Sequence, residues 1–225
     1  DLKHKDFKSG DKTKINSLMF SIYGMQQITN TWFAQASATF GSNEVNNKES
    51  RVSGATTNGT VSGKYSSMSF SGEAMFGYNH AVDMATITPM FGVRYTRVNS
   101  GGYKETSSTT NQKFNVSSKA TNQFDVVAGA RIAARPFEAN GMSITPEVHA
   151  FVSHDLIGKN AKVTAKLEGA PALTQTANKP VRTSYNVGVG VSSGYGMMEY
   201  GAGYDATFAE KRLGHTGSLR LRVNF

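Results

Sequence analysis

The sequence predicts an all-β fold, an antiparallel up-and-down barrel that crosses a membrane with its strands. Two observations lead to this prediction. Apolar and polar residues alternate along most of the chain, which is typical of strands that have one apolar and one polar face. The alternating segments also run for about ten residues or more, whereas strands of soluble proteins are about five or six residues long and membrane-crossing strands take about 9–11.

The composition agrees with this fold class. The 225 residues include 23 glycines, 23 serines, 21 threonines and 16 asparagines, and only 18% are charged. Glycine and asparagine are poor helix formers, so a large helical bundle is excluded, and an aromatic content of 10% argues against a disordered chain. The absence of cysteine excludes disulfides, Cys-ligated zinc and a thiol nucleophile.

Nine segments carry the alternation. In the segment nearest the carboxyl end, Leu219, Leu221 and Val223 share one face, while Arg220 and Arg222 share the other. The other segments repeat this pattern, with aliphatic and aromatic residues opposite glycine, serine, threonine and scattered charges. The nine predicted strands are residues 16–27, 32–41, 67–79, 86–97, 123–135, 143–155, 184–192, 197–206 and 215–225.

The predicted connections alternate in length, with long ones at 42–64, 98–120 and 157–181. Short turns on one side and long loops on the other are typical of an outer-membrane barrel whose long loops lie outside the cell. Most lysines and glutamates lie in the long loops. The pair Asn58-Gly59 predicts the tip of a type I′ hairpin, and we expect the two strands of that hairpin to extend beyond the membrane.

A soluble β-sandwich or a lipocalin-like barrel would also show alternation. The apolar faces of such proteins point inward and carry large packed side chains. Here the apolar faces are long and rich in Ala, Val and Phe, and the opposite faces are charged, which favours the membrane barrel. In a membrane barrel, replacing Val126 or Val148 by Arg is expected to cost about 2–4 kcal/mol at mid-bilayer, and replacing Gly129 by Ser is expected to be much milder.

Three patterns of side chains could carry catalysis or bind a metal. Residues 190–194 match G-x-S-x-G, but the nucleophile elbow needs a strand, a turn and a helix, and the segment that follows is predicted as a strand. His149 and His154 are five apart and fall on opposite faces of one strand, so they cannot hold one metal ion. A barrel hydrolase stays an alternative, but its catalytic groups would have to converge from several strands. The best acid/base group on one face consists of Glu147, His149, Ser153 and Asp155.

Charged residues of both signs fall on the polar faces of the predicted strands, where we expect them to line the lumen. Opposite charges there can pair across strands and offset each other's desolvation, or they can contact a peptide or helix inside the barrel. The predicted lumen-facing polar residues are Glu73, Arg94, Asp125, Arg131, Glu147, Glu199, Arg220 and Arg222.

The net charge of +8 is not accompanied by a recognition helix, a zinc knuckle or a basic-aromatic platform, so no nucleic-acid partner is predicted. Lysines in the loops of an outer-membrane protein would instead meet anionic lipopolysaccharide or polyanions of a host surface. Plain solubility of the loops explains them equally well.

The tail of the chain carries the most specific pattern. Residues 200–225 contain a strand rich in Tyr and Gly, a short charged tip, the Gly-His-Thr-Gly of 214–217 and an alternating strand that ends in Phe225. This order resembles the end of the autotransporter β-domain family. Residues 20–24 and 32–38 are similar to its middle strands, and the whole chain is similar to the large surface-antigen autotransporters of intracellular bacteria.

The resemblance implies type V secretion, in which the barrel anchors the protein and lets an N-terminal passenger reach the cell surface. Family members have twelve strands and a helix in the lumen, so residues 1–225 would form one translocator domain with nine of an expected twelve strands. About three strands, the helix and the passenger are then expected upstream, with residues 2–8 as the top of a preceding strand. The alternative is a stand-alone small barrel that acts as an adhesin or a narrow pore.

The resemblance also implies where the protein lies and what it contacts. We expect the outer membrane of a Gram-negative bacterium, with the loops at the cell surface, and neither enzyme activity nor a cofactor or metal. The expected partners are outer-membrane lipid and lipopolysaccharide, the barrel-assembly machinery and the passenger of the same polypeptide. The signal for membrane insertion would consist of Leu219, Leu221, Val223 and Phe225.

Overall fold

The computed structural model describes residues 2–5, 11–52, 58–107, 113–167, 169–176, 180–195, 197–210 and 212–223. These residues form one large antiparallel sheet and one small one. Nowhere in these ranges is a helix long and apolar enough to span a bilayer. The strands are β1 (Leu2–Lys5), β2 (Lys12–Gln27), β3 (Trp32–Val52), β4 (Asn58–Tyr78), β5 (His80–Val82), β6 (Ala85–Ser100), β7 (Tyr103–Lys104), β8 (Phe114–Ser118), β9 (Thr121–Ala134), β10 (Phe137–Ala139), β11 (Met142–Asp155), β12 (Lys162–Leu167), β13 (Ala172–Thr176), β14 (Thr183–Tyr195), β15 (Met198–Ala209) and β16 (Arg212–Val223).

The large sheet confirms the predicted up-and-down arrangement. Its strand order is β1-β2-β3-β4-β6-β9-β11-β14-β15-β16, and the short strands β5 and β10 pair with β6 and β11. The nine long strands of this order are the nine predicted ones. β1 pairs antiparallel with the start of β2, which is the position expected for a preceding strand.

The β3–β4 hairpin extends beyond β6, while β2 continues beside β3 as far as Lys48. β3 and β4 pair without interruption from Trp32 with Tyr78 to Val52 with Asn58, whereas the pairing of β4 with β6 ends at Ser67. The type I′ tip predicted at Asn58-Gly59 is wrong, because both residues are paired in the ladder, Asn58 with Val52 and Gly59 with Arg51. The register set along the whole hairpin decides where the chain turns, and a favourable dipeptide near the tip does not override it.

One two-residue turn does have the expected chemistry. Asn140 and Gly141 join β10 to β11 with φ of 52° and 76°. Positive φ at both central residues is the requirement of a type I′ turn, whose twist suits a hairpin. The predicted short connection at 136–142 is therefore a tight hairpin.

Two of the long connections pair with each other and form the small sheet, in the order β13-β12-β8-β7. A bridge between Ser62 and Thr106 and the stacked rings of Tyr65 and Tyr103, 4.9 Å apart, join this sheet to the β3–β4 extension. The sequence analysis predicted loops here. Strands of two to six residues are too short for a periodic pattern, and the pairing of β8 with β12 joins two connections that lie far apart in the sequence.

Burial on the two faces of the large sheet is opposite to that of a soluble sandwich. On the apolar face, Phe91 is 56% exposed and Val148 is 47% exposed. On the polar face, Phe33 and Met75 are each 3% exposed. The sheet curls with its polar face on the concave side, so the apolar face is directed outward.

Aromatic side chains lie at two levels of the outward face. Trp32 and Tyr78 contact each other at one level, with ring centroids 5.0 Å apart, and Phe40 and Phe70 do so at the other, also at 5.0 Å. Trp32 and Phe40 are eight residues apart along β3, which is about 26 Å along the strand at the usual rise per residue and about 20 Å across the membrane at the usual strand tilt. An apolar band about 25 Å tall between two aromatic girdles is typical of a transmembrane barrel.

Candidate functional site

A row of charged residues crosses the concave face at one level. In the registers of the sheet, Glu73 lies opposite Arg94, Arg94 opposite Asp125, and Asp125 opposite Asp155. Arg94 donates to Oε2 of Glu73 from Nε at 2.8 Å and from Nη2 at 2.5 Å. This pair joins β4 to β6, and each charge offsets the desolvation of the other.

The two aspartates of this row are buried. Asp125 accepts hydrogen bonds from a neighbouring side chain, and Asp155 accepts them from the backbone. Asp125 is 3% exposed and accepts hydrogen bonds from the Gln123 amide at 2.9 and 3.1 Å. Asp155 accepts the backbone N–H groups of Phe124, Ile157 and Gly158 at 3.0 to 3.2 Å. A carboxylate with three such donors fixes the start of the loop after β11.

A second polar group lies nearer the opposite end of the concave face. Nη1 of Arg131 is 3.9 Å from Oε2 of Glu147, across β9 and β11. Nε2 of His149 is 2.8 Å from Oδ1 of Asp205 and 3.0 Å from Oδ1 of Asn186, which links β11, β14 and β15. Asp205 is not among the predicted lumen-facing residues, although its parity in the strand is that of Glu199. The register adds that it lies opposite Gly188 and within reach of His149.

Glu199, Arg220 and Arg222 lie toward the carboxyl end of the sheet. Glu199 is opposite Arg222 in the β15–β16 register, and Arg220 is opposite Gly201. All eight predicted lumen-facing residues thus occupy positions of the same face. The structure brings together Glu73 with Arg94 and Arg131 with Glu147, and the registers place Glu199 beside Arg222.

An apolar cluster on the concave face escaped the sequence analysis. Phe33, Met75, Met90 and Val127 pack together with Phe151 against them. A cavity of about 360 Å³ is bordered by four members of this group, Met75, Met90, Val127 and Phe151, together with Glu73 and Arg94. The available signal was the presence of large apolar residues at polar positions of several strands, but only the register shows that these residues meet.

Glycines beside this cluster make room for its large side chains. The ring of Phe33 lies over Gly77, where a Cβ would be 2.2 Å from Cζ of Phe33. Phe151 lies over Gly129 in the same way, and a Cβ there would be 2.2 Å from the backbone oxygen of Ala150. The expectation that Gly129→Ser is mild is therefore wrong, because the added atom would overlap backbone that cannot move away.

The candidate catalytic residues do not assemble into a site. Ser192 lies within β14, where the chain continues as a strand and forms no elbow. Oγ of Ser153 is 2.7 Å from Oγ of Ser184, while His149 contacts Asp205. His154 lies on the other face, with Nδ1 2.9 Å from Oγ1 of Thr183. The described residues contain no group of three or more His, Asp and Glu side chains that could hold a metal ion.

Three residues of the predicted insertion signal, Leu219, Leu221 and Val223, lie on β16, the last strand of the sheet order. Leu219 is 90% exposed and Leu221 is 63% exposed, and Val223 pairs with Met198 through the backbone. Phe225 lies outside the described residues. Within the described residues, β16 pairs with β15 alone.

Comparisons with known proteins agree with this fold. A family model described as the autotransporter β-domain matches residues 3–211. Outer membrane protein B of Rickettsia conorii is 39% identical over 100% of this chain and 14% of its own length. Outer membrane protein A of Rickettsia rickettsii is 37% identical over 100% of this chain and 10% of its own length.

A solved structure has the same architecture. The translocator domain of the autotransporter NalP from Neisseria meningitidis superposes with a TM-score of 0.67 over 96% of this chain and 69% of that chain, at 17% identity. The likeness to this structure concerns the fold. The chain spans about a seventh or less of the length of the curated relatives named above.

Proposed function

Because this chain belongs to the autotransporter β-domain family, we propose that it forms most of the wall of a barrel through which an N-terminal passenger of the same polypeptide reaches the cell surface. The barrel is an outer-membrane translocator and anchor of a Gram-negative bacterium. The loop end of the sheet, which carries the β3–β4 extension and the small sheet, lies outside the cell.

The observation that carries this proposal is that the large apolar side chains of the outward face are exposed, whereas side chains of the concave face are buried. A sheet whose valines, leucines and phenylalanines are exposed on its outward face is stable where lipid, and not water, covers that face. The aromatic pairs at the two levels of that face suit the two membrane interfaces. The polar concave face suits a solvated lumen that a polypeptide can enter.

The concave face has a specific part in the proposal. The pairs Glu73–Arg94 and Arg131–Glu147 present both charges to the lumen, and the apolar cluster around Phe33 and Phe151 lies between them. A linker or helix in transit meets polar groups that are already paired, so no single charge holds it. Translocation of this kind requires no catalytic residue.

The partners of the barrel are part of the proposal. The unpaired backbone groups of an edge strand can serve as a template for another strand, so we propose that β16 presents Leu219, Leu221, Val223 and Phe225 to the barrel-assembly machinery. The outward apolar face contacts outer-membrane lipid, and the lysine-rich loops contact lipopolysaccharide. A stand-alone adhesin or pore is less favoured, because the matching family is that of translocators.

The test is export of the passenger by the full gene product in a Gram-negative host. Protease added to intact cells is expected to digest the passenger and to leave a membrane-embedded barrel that contains this chain. A Val126→Arg/Val148→Arg variant, which places two charges on the lipid face, is expected to lose both the embedded barrel and the surface passenger. A passenger that stays protected in intact cells while the barrel is correctly embedded would contradict the proposal.

A further inference from the structure

A cleft of about 1020 Å³ lies at the loop end of the protein. Its walls come from both sheets. Thr121 is the first residue of β9 in the large sheet, and Leu156 directly follows β11. Lys162 and Thr176 belong to β12 and β13 of the small sheet. The cleft exists because the two long connections pair with each other above the strand ends.

The charge of this cleft is positive. Lys119, Lys159, Lys162 and Arg182 line it, and no described carboxylate does. All four side chains are exposed, and the ion pairs between described residues involve other residues. Nη2 of Arg182 donates to the backbone oxygen of Gly158 at 3.2 Å, which holds the guanidinium at the wall.

The nearby acid does not neutralise the cleft. Asp155 immediately precedes Leu156, but it is 1% exposed, and its Oδ1 accepts three backbone N–H groups. Its charge is therefore directed toward the loop backbone. The four cations remain available to an anion that enters from solvent.

Apolar and neutral polar groups complete the cleft. Leu156 and Ile157 are 50% and 43% exposed, and they directly follow β11, whose outward face carries Val152. Asn122 and Asn160 add amides to the lining. Cations, amides and exposed aliphatic side chains thus occur together at the outer edge of the lipid-facing surface.

We infer that this cleft binds a phosphorylated glycolipid of the outer leaflet, of the lipopolysaccharide class. Lys and Arg suit phosphate groups, the amides suit sugar hydroxyls, and Leu156 and Ile157 suit the first carbons of acyl chains. The aliphatic pair favours an amphiphile over a soluble sulfated polysaccharide, which offers no apolar part. The inference rests on the proposed function in one respect, that the loop end lies at the outer leaflet.

The experiment uses the full gene product purified from outer membranes in detergent. The probes are lipid A with both phosphates and the same lipid A after enzymatic removal of the phosphates. The cleft variant is K119Q/K159Q/K162Q/R182Q. The matched control is K12Q/K14Q/R135Q/R212Q, which removes four exposed positive charges outside the long loops and outside the cleft.

The expected result has two parts. The wild-type protein binds phosphorylated lipid A about tenfold or more tightly than the dephosphorylated form, and the cleft variant loses about tenfold or more of that affinity, because several cations near an anionic lipid act together. The control variant stays within about twofold of the wild type. Equal loss in both variants, or equal wild-type affinity for both lipids, would overturn the inference.

Two further measurements keep the result clear. If heparin binding depends on the four cations and lipid A binding does not, the site belongs to a soluble polyanion and the inference is wrong. If the cleft variant does not assemble, the inference is tested by the wild-type comparison of the two lipids and by the milder K159Q/R182Q variant. Surface exposure of the passenger is measured in the cells from which the protein is purified, so failure of export is seen separately from failure of lipid binding.

Discussion

At the scale of single residues, the two faces of each strand obey different rules. On the outward face, Val148 has open surroundings and tolerates any apolar side chain that lipid can cover. On the concave face, Gly129 has no free volume, because Phe151 occupies it. A substitution is therefore judged by the face on which the residue lies and by the residue opposite to it in the next strand.

The outward face gives the first prediction. Val148→Arg is expected to lower the free energy of unfolding of the assembled barrel by about 2–4 kcal/mol, because a guanidinium at mid-bilayer depth is poorly solvated. The measurement is reversible denaturant unfolding in lipid vesicles. The control is Ser192→Arg, which puts the same side chain on the concave face and is expected to cost clearly less. The reverse ranking would mean that the two faces have been exchanged.

The concave face gives the second prediction. Gly129→Ala is expected to destabilise the barrel by about 1–3 kcal/mol, the usual cost of overpacking, because the new Cβ would lie 2.2 Å from the backbone oxygen of Ala150. Gly194→Ala is the control, since no heavy atom lies within 4 Å of its Cβ position. Equal stability of the two variants in the same unfolding assay would contradict this packing.

At the scale of elements, the β3–β4 hairpin is distinguished by an upper part in which β4 no longer pairs with β6, while β2 still pairs with β3. Nζ of Lys64 is 2.8 Å from Oε1 of Glu44. This hydrogen bond lowers the pKa of Glu44 below its ordinary value of 4.5, and a hydrogen bond from Asn46 contributes to the same shift to a smaller extent. A carboxyl with a lowered pKa stabilises the fold above its ordinary pKa, and this contribution is lost as the pH falls through the lowered value.

The third prediction follows from this pair. Lys64→Gln is expected to raise the pKa of Glu44 toward 4.5, because the hydrogen-bonded ammonium is removed. The measurement is an NMR titration of carboxyl carbons in the detergent-solubilised protein. Lys48→Gln, which removes a charge from the same hairpin, is expected to change that pKa less. An unchanged pKa in Lys64→Gln would show that the pair does not form in solution.

The fourth prediction concerns β16 as an edge strand. Deletion of Phe225 is expected to reduce the amount of assembled barrel in the outer membrane, since it removes one residue of the proposed insertion signal. The measurement is heat-modifiable migration, in which a folded barrel runs at a different position in SDS gels before and after boiling. Replacement of Phe225 by Tyr is the control and is expected to assemble. Normal yields of the deletion variant would count against the signal.

At the scale of the whole molecule, the large sheet does not close on itself among the described residues. β1 and β16 are the two ends of its strand order, and the matched translocator is longer than this chain, which covers 69% of it. We therefore propose that about three further strands, expected upstream, lie between these two ends in the assembled barrel.

The fifth prediction tests closure. Residues 1–225 expressed alone are expected to show no heat-modifiable band, whereas the same chain with its upstream region shows one, because a transmembrane sheet cannot leave open edges in lipid. Sequencing the gene upstream of the Asp1 codon provides an independent check. If residues 1–225 alone form a heat-modifiable barrel, β1 and the nine long strands close by themselves, and the stand-alone barrel becomes the better description.

Much of the architecture could be predicted from the sequence because the membrane imposes a local rule. Every strand that crosses lipid must show one apolar face over its whole length, so residues such as Leu219 and Leu221 reveal their face without knowledge of any neighbour. The eight charged residues predicted for the lumen followed from the same parity. The Gly-His-Thr-Gly of 214–217 and the alternating strand after it added the family resemblance.

The remaining features depend on register, which alternation within one strand does not contain. Only the pairing of strands shows that Phe151 covers Gly129, that His149 contacts Asp205, and that Asn58 is paired with Val52. The pairing of two distant loops likewise creates the cleft around Arg182. The sequence by itself determined the fold class, the nine long strands and their faces, since these are properties of neighbouring residues in lipid. The tertiary structure alone decided the contacts, since a contact joins residues that the chain keeps far apart.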